Sequence, residues 1–190
     1  MPAARRLSAL GAPAEALADQ LQGVEIHPGS AVDAADRLHA AGFGSRIRAD
    51  NFFDVPPAPV FDAVIGNPPY VRYQHFSGDA RAKGLQAALA QGVRLTGLAN
   101  SWAAFTIHAA QFLKPDGRLG LVLPAELLSV NYAAQVRRFL LRRFRAVRLV
   151  MFEELVFPDV LEEVVLLLAE GSGGAANFEV YQAKNLRDLE

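Results

Sequence analysis

Residues 61–72 read Phe-Asp-Ala-Val-Ile-Gly-Asn-Pro-Pro-Tyr-Val-Arg, and the change of character inside this run decides the fold. Residues 63–66 are short and apolar, the signature of a buried strand. Two prolines follow, which fix φ twice and remove two backbone donors. The residue before them, Asn67, is pushed toward extended geometry. A strand therefore delivers a rigid, acceptor-rich stretch at its carboxyl end. Working outward, further strands are expected at 23–26, 46–49, 119–123, 147–152 and 163–168. Most are rich in Val, Ile or Leu, several on successive residues, which suits strands covered on both faces. Helices are expected at about 3–20, 30–41, 80–92, 101–113 and 132–144. The alternation predicts an α/β, Rossmann-like doubly wound domain, with a mostly parallel sheet and helices on both faces. Gly42 and Gly44 read as the end of the second helix, and Lys114-Pro115-Asp116-Gly117 as a turn. Residues 1–170 form the expected domain. Gly171-Ser172-Gly173-Gly174 reads as a linker, and residues 177–190 open like a strand that begins another module.

The chain has 190 residues, 52% hydrophobic and 21% charged, enough for one domain with a sizeable core. It has no cysteine, which excludes a disulfide framework, a thiolate metal site and a cysteine nucleophile. The four histidines are scattered without metal-ligand spacing, so no catalytic metal is expected. Net charge is −1, without the basic excess of a free-standing DNA binder. Positive charge is concentrated in Arg137, Arg138, Arg142, Arg143 and Arg145, and this stretch reads as a solvated helix face or a grip on a DNA backbone. No apolar run is long enough for a membrane span, and a cytoplasmic location is expected by default.

In an open α/β sheet, ligands sit outside the carboxyl ends of the strands. Glu25, Asp50 and Asn67 all fall there. A strand-end Glu suits ribose hydroxyls, since a carboxylate accepts two hydrogen bonds; the alternative is a solvated acid. Asp50 reads equally as a turn residue before Asn51. In Asn67-Pro68-Pro69-Tyr70, the Asn67 side-chain oxygen and the Pro68 carbonyl can both accept from one amino group, and Tyr70 offers an aromatic face to a planar substrate.

Residues 61–72 resemble the catalytic motif of amino-methyltransferases acting on adenine in DNA, most of all the TaqI-like, gamma-class group that includes the methylase parts of fused restriction–modification enzymes. The resemblance runs over about residues 5–175. It implies S-adenosylmethionine as cofactor, held by Glu25 at the ribose, Asp50 at the adenine, and Asn67. It implies Asn67, Pro68, Pro69 and Tyr70 as the catalytic tetrapeptide, with Tyr70 and Phe157 stacking on a base flipped out of double-stranded, adenine-containing DNA. Arg72, Arg137, Arg138 and Arg142 become candidates for the DNA backbone. Asn100-Ser101-Trp102-Ala103-Ala104-Phe105 resembles the helix that follows the motif. The order of motifs implies a recognition domain after the catalytic one.

The chain departs from the family at its start. The family's first strand and glycine-rich loop are missing; that strand lies between the strands ending at Glu25 and Asn67. A truncated reading of a longer gene, a second chain supplying the strand and loop, and a decayed remnant all account for this. Phe52 stands near the place where relatives carry a cofactor-packing aromatic. Two other functions share parts of the pattern. Protein-glutamine and RNA amino-methyltransferases also carry Asn-Pro-Pro-Tyr, and a non-catalytic interaction module needs only the arginine stretch.

Overall fold

The computed structural model describes residues 1–154, 156 and 163–189, and for residues 14 and 15 only the backbone. The chain divides into two compact units, Met1–Pro56 and Pro57–Glu190. No helix among the described residues is long and apolar enough to cross a membrane.

The first unit runs α1 (Pro2–Ala9), α2 (Ala14–Gln20), β1 (Gln22–Glu25), α3 (Pro28–Ala40) and β2 (Arg46–Ala49). The single helix expected over 3–20 is two helices. Gly11 takes φ +93° and Pro13, extended at the start of α2, has no N–H to continue the first helix. Pro28 occupies the first turn of α3, where its missing donor costs nothing, so this helix starts earlier than expected. Gly42 closes it with φ +80°. Two residues on, Gly44 runs so close to α2 that a Cβ there would lie 2.5 Å from the Ala18 Cβ. β1 and β2 pair in parallel with Glu25 opposite Ala49, and the Asp50 N–H extends the ladder to the Glu25 carbonyl at 3.0 Å.

The second unit contains β3 (Phe61–Gly66), α4 (Gly78–Ala90), α5 (Ser101–Ala109), β4 (Leu113–Pro124), α6 (Glu126–Ser129), α7 (Ala134–Arg143), β5 (Ala146–Phe152), β6 (Val164–Glu170) and β7 (Glu179–Ala183). Its five-stranded sheet has the order β3-β4-β6-β5-β7. This sheet is mixed rather than mostly parallel. β3 and β4 are parallel, as are β5 and β7, whereas β6 is antiparallel to both its neighbours. β5 and β6 are joined by residues 153–163, just under the length that a parallel return takes, about a dozen or more residues and usually with a helix.

Leu121, Leu167 and Leu149 lie side by side across β4, β6 and β5, all nearly inaccessible, with Leu119, Ala169 and Val147 in the next row. Burying each such leucine contributes roughly 1.5–3 kcal/mol. α5 packs on β4, α4 and α7, and its Trp102, Ala103, Ala104 and Ile107 are fully buried. Lys114-Pro115-Asp116-Gly117, read as a turn, loops out within β4, where the register jumps from Phe61 opposite Leu113 to Ala63 opposite Arg118.

Two features depart from the expectation of strands covered on both faces. β1, β2 and β3 are largely open, with Ile65 69% exposed. Among the described residues, β1 pairs only with β2 and β3 only with β4, so each has one unpaired edge. At the other end, the glycine-rich segment after β6 is tied down. The Gly171 N–H donates to the Gly117 carbonyl at 3.1 Å and the Ala175 N–H to that of Leu141 at 2.7 Å. The strand expected beyond it is β7, at the edge of this same sheet.

Candidate active site

Glu25 and Asp50 lie at the carboxyl ends of adjacent parallel strands, one position apart in register. Glu25 Oε1 accepts from the His27 N–H at 2.9 Å, at the entrance to α3. Asp50 Oδ1 accepts from the Asn51 N–H at 2.8 Å, and its Oδ2 pairs with the Arg48 guanidinium at 2.5 Å. The turn role weighed for Asp50 is therefore present, alongside acceptor capacity that a carboxylate keeps after one bond per oxygen. Asn51 accepts from the Phe53 N–H at 3.0 Å and so starts the short 3₁₀ turn carrying Phe52, which is partly exposed.

In the second unit, β3 hands over to the tetrapeptide at its carboxyl end. Asn67 is exposed, Pro68 is buried and Pro69 is exposed. Tyr70 is half-buried, and its hydroxyl oxygen lies 2.9 Å from the Val122 carbonyl on β4 and 3.0 Å from Asn67 Oδ1. The single hydroxyl proton serves one of these acceptors at a time. The ring is thus braced at its far end against the sheet, next to the Asn67 amide.

The backbone that follows is not part of a strand, and two residues of α5's entrance hold it. Ser101 Oγ donates to the Pro69 carbonyl and accepts from the Val71 N–H at 2.9 Å. The Ser101 N–H donates back to the Val71 carbonyl at 3.0 Å, and Asn100 Oδ1 accepts from the Tyr73 N–H at 2.9 Å. Behind them, Asn100 Nδ2 donates to Glu126 Oε2 at 3.0 Å. The Tyr132 hydroxyl donates to the same oxygen at 2.5 Å and accepts from the Trp102 indole N–H at 3.1 Å. Sequence reasoning placed Asn100 and Ser101 on the helix after the motif but gave them no role. Glu126 and Tyr132 went unnoticed.

The basic candidates separate. Arg72, Arg138 and Arg142 are exposed, the last two one turn apart on α7. Arg137 instead turns inward, its guanidinium donating to the Leu127 and Val130 carbonyls at 2.7 and 3.3 Å, where it closes α6. Phe157 lies outside the described residues.

An α/β fold with polar groups at the carboxyl ends of parallel strands is the architecture of class I S-adenosylmethionine-dependent methyltransferases. One solved protein of that description, from Listeria monocytogenes, superposes with a TM-score of 0.67 at 15% identity, over 85% of this chain and 48% of its own. The family model of the Eco57I restriction-modification methylases matches residues 39–157, and the chain belongs to that family. Among curated relatives, the type II methyltransferase M.AccI of Acinetobacter calcoaceticus is 25% identical over 68% of this chain and 24% of its own length. The type II methyltransferase M.XamI of Xanthomonas campestris pv. amaranthicola is 30% identical over 73% of this chain and 28% of its own. The match therefore covers about a quarter of each of these two relatives.

Proposed function

We propose that this chain carries catalytic residues of a site-specific DNA adenine-N6 methyltransferase of a restriction–modification system. The observation that carries the reading is the Asn67–Tyr70 tetrapeptide at the carboxyl end of β3, rigid through its prolines and braced on β4, in a chain of this family. Asn67 Oδ1 and the Pro68 carbonyl accept hydrogen bonds from the exocyclic amino group of a flipped adenine. Those bonds would turn the nitrogen lone pair out of conjugation and favour the positive charge that develops as the nitrogen–carbon bond forms and the methyl's bond to sulfur breaks, leaving a neutral thioether, with the surplus proton on nitrogen passing to water. Tyr70 stacks on one face of the base; Phe157 on the other is implied by the resemblance alone.

S-adenosylmethionine supplies an electrophilic methyl group on a sulfonium. The donor set fits it: Glu25, at the end of β1, accepts from ribose hydroxyls, and Asp50, at the end of β2, accepts from the adenine amino group. The family resemblance assigns Asn67 to the cofactor as well. Arg72, Arg138 and Arg142, exposed, meet DNA phosphates, and a cytoplasmic location goes with the proposed substrate. A further chain or segment supplies the family's first strand and glycine-rich loop, and recognition of the DNA sequence lies in a further module. The unpaired edges of β1 and β3 support this reading.

Radiolabelled methyl transfer from S-adenosylmethionine tests the proposal, using adenine-containing duplex DNA, a glutamine-containing protein and RNA as parallel acceptors. Label in DNA as N6-methyladenine, abolished by Asn67→Ala in a folded variant, is the expected result. Full turnover in Asn67→Ala, or label confined to protein or RNA, overturns it. Calorimetric titration with the cofactor is a separate check, with Glu25→Ala/Asp50→Ala expected to lose binding.

A further inference from the structure

Two consecutive prolines make a segment stiff, but they also deprive it of the N–H groups by which a sheet would hold it. Residues 67–72 are in no strand. What sets their course comes from Asn100 and Ser101, which make four hydrogen bonds to the backbone of Pro69, Val71 and Tyr73. Ser101 is wholly buried and Asn100 is 8% exposed. The Ser101 hydroxyl both donates and accepts, bridging the residues on either side of Tyr70. Alanine at this position could do neither.

Asn100 has the sequence appearance of a helix N-cap, whose side-chain oxygen ordinarily accepts from the first turn of its own helix. It makes no such bond. Its oxygen is given to the Tyr73 N–H instead. An asparagine amide can present oxygen or nitrogen with almost the same shape, and here the Glu126 carboxylate, an acceptor only, decides which. Tyr132 donates to that carboxylate and is itself held by Trp102, with their rings 5.9 Å apart. The chain of contacts thus runs from the core of α5 through Glu126 to the backbone beside Tyr70.

We propose that Asn100 and Ser101 are positioning residues that fix the path of the catalytic tetrapeptide, with Glu126 and Tyr132 holding the Asn100 amide in its working orientation. The effect on methyl transfer rests on the function proposed above; the anchoring itself does not. In Ser101→Ala, the Val71 amide is expected to exchange its hydrogen about tenfold faster, the weight of one lost hydrogen bond. The β4 amides of Leu121 and Leu123 keep their protection. Asn100→Asp sets two carboxylates against each other while retaining the acceptor for Tyr73. Asn100→Asp/Glu126→Gln restores a donor opposite an acceptor, and is expected to recover both Tyr73 protection and the fluorescence of Trp102, the only tryptophan.

In the methyl-transfer assay, kcat falls about tenfold in Ser101→Ala and in Asn100→Asp, while cofactor affinity stays within about twofold, and the exchanged pair regains turnover. Unchanged exchange at Val71 in Ser101→Ala overturns the anchoring, as does failure of the exchanged pair to recover Tyr73. Freed amides with undiminished kcat overturn the positioning role. Label confined to protein or RNA overturns the proposed function instead, and the amide and fluorescence readouts, which need no turnover, still decide the clamp. Should Ser101→Ala fail to fold, the Asn100 and Glu126 variants carry the same test.

Discussion

Tyr70 is fixed at its hydroxyl as well as along its backbone, so its ring and its oxygen make separable contributions. Tyr70→Phe keeps the aromatic face and leaves the Val122 carbonyl without its bond. A loss of about 1 kcal/mol in thermal or urea denaturation is expected, with methyl transfer reduced but still above that of Tyr70→Ala. Equal activity of the two variants would show that the ring plays no part in turnover. The tetrapeptide could be found in the sequence because it breaks local rules: an apolar strand running into two prolines has few structural explanations. Glu25 and Asp50 were legible as acids at strand ends, and the structure sets them side by side. The residues that hold the tetrapeptide were not legible. Val71 meets Ser101 across 30 positions and Asn100 meets Glu126 across 26, and no local pattern announces such pairs. Asn100 in particular resembles a helix cap so well that its use elsewhere is concealed. The inward turn of Arg137 was hidden for the same reason, since its partners are carbonyls exposed only once α6 ends.

Among the elements, α2 and the loop before β2 show how a small residue can set spacing. Gly44→Ala would drive a Cβ into the backbone and Cβ of Ala18, so either the loop or α2 must move. A destabilisation of about 1–3 kcal/mol is expected, read as a lower urea midpoint for the first unit. β7 illustrates a different attachment. Arg148 on β5 bonds Glu170 on β6 at 3.1 Å and Glu179 on β7 at 2.9 Å. The hydrogen bond from Arg148 holds the Glu170 carboxyl below its ordinary value of 4.5, against a smaller opposing effect of desolvation. A depressed carboxylate contributes stability above that ordinary value and loses it as pH falls through the lower folded value. The amides that pair β5 with β6 near Glu170 should therefore lose protection as the solution is acidified below about pH 4.5, and Arg148→Gln should flatten that dependence. A pH profile the same in both proteins would remove the pair from the account. Most elements were legible because apolar runs and glycine or proline breakers coincide. Strand direction was not, since a run such as residues 164–170 reads alike whichever way it lies. β7 was read as the start of something new because its pairing is with β5, more than 25 positions earlier.

At the scale of the whole molecule, the chain is a family member that matches about a quarter of each compared type II relative, and among its described residues β1 and β3 each have one unpaired edge. The second unit has its rows of leucine and valine closed over β4, β5 and β6, whereas β3 carries apolar residues outward, Ile65 foremost. A strand with that composition, no proline within it and one unpaired edge is a template for pairing with its like. Light scattering should therefore show association that grows with protein concentration. Ile65→Lys should suppress it at little cost in stability, because the side chain replaced is already largely in water. Scattering unaffected by the lysine would place the adhesive surface elsewhere. The open edge also bears on how the protein behaves in the hand. Its useful lifetime in a tube becomes a matter of dilution and waiting time more than of heat, and a peptide able to lie along β3 would act as a preservative before it acted as anything else.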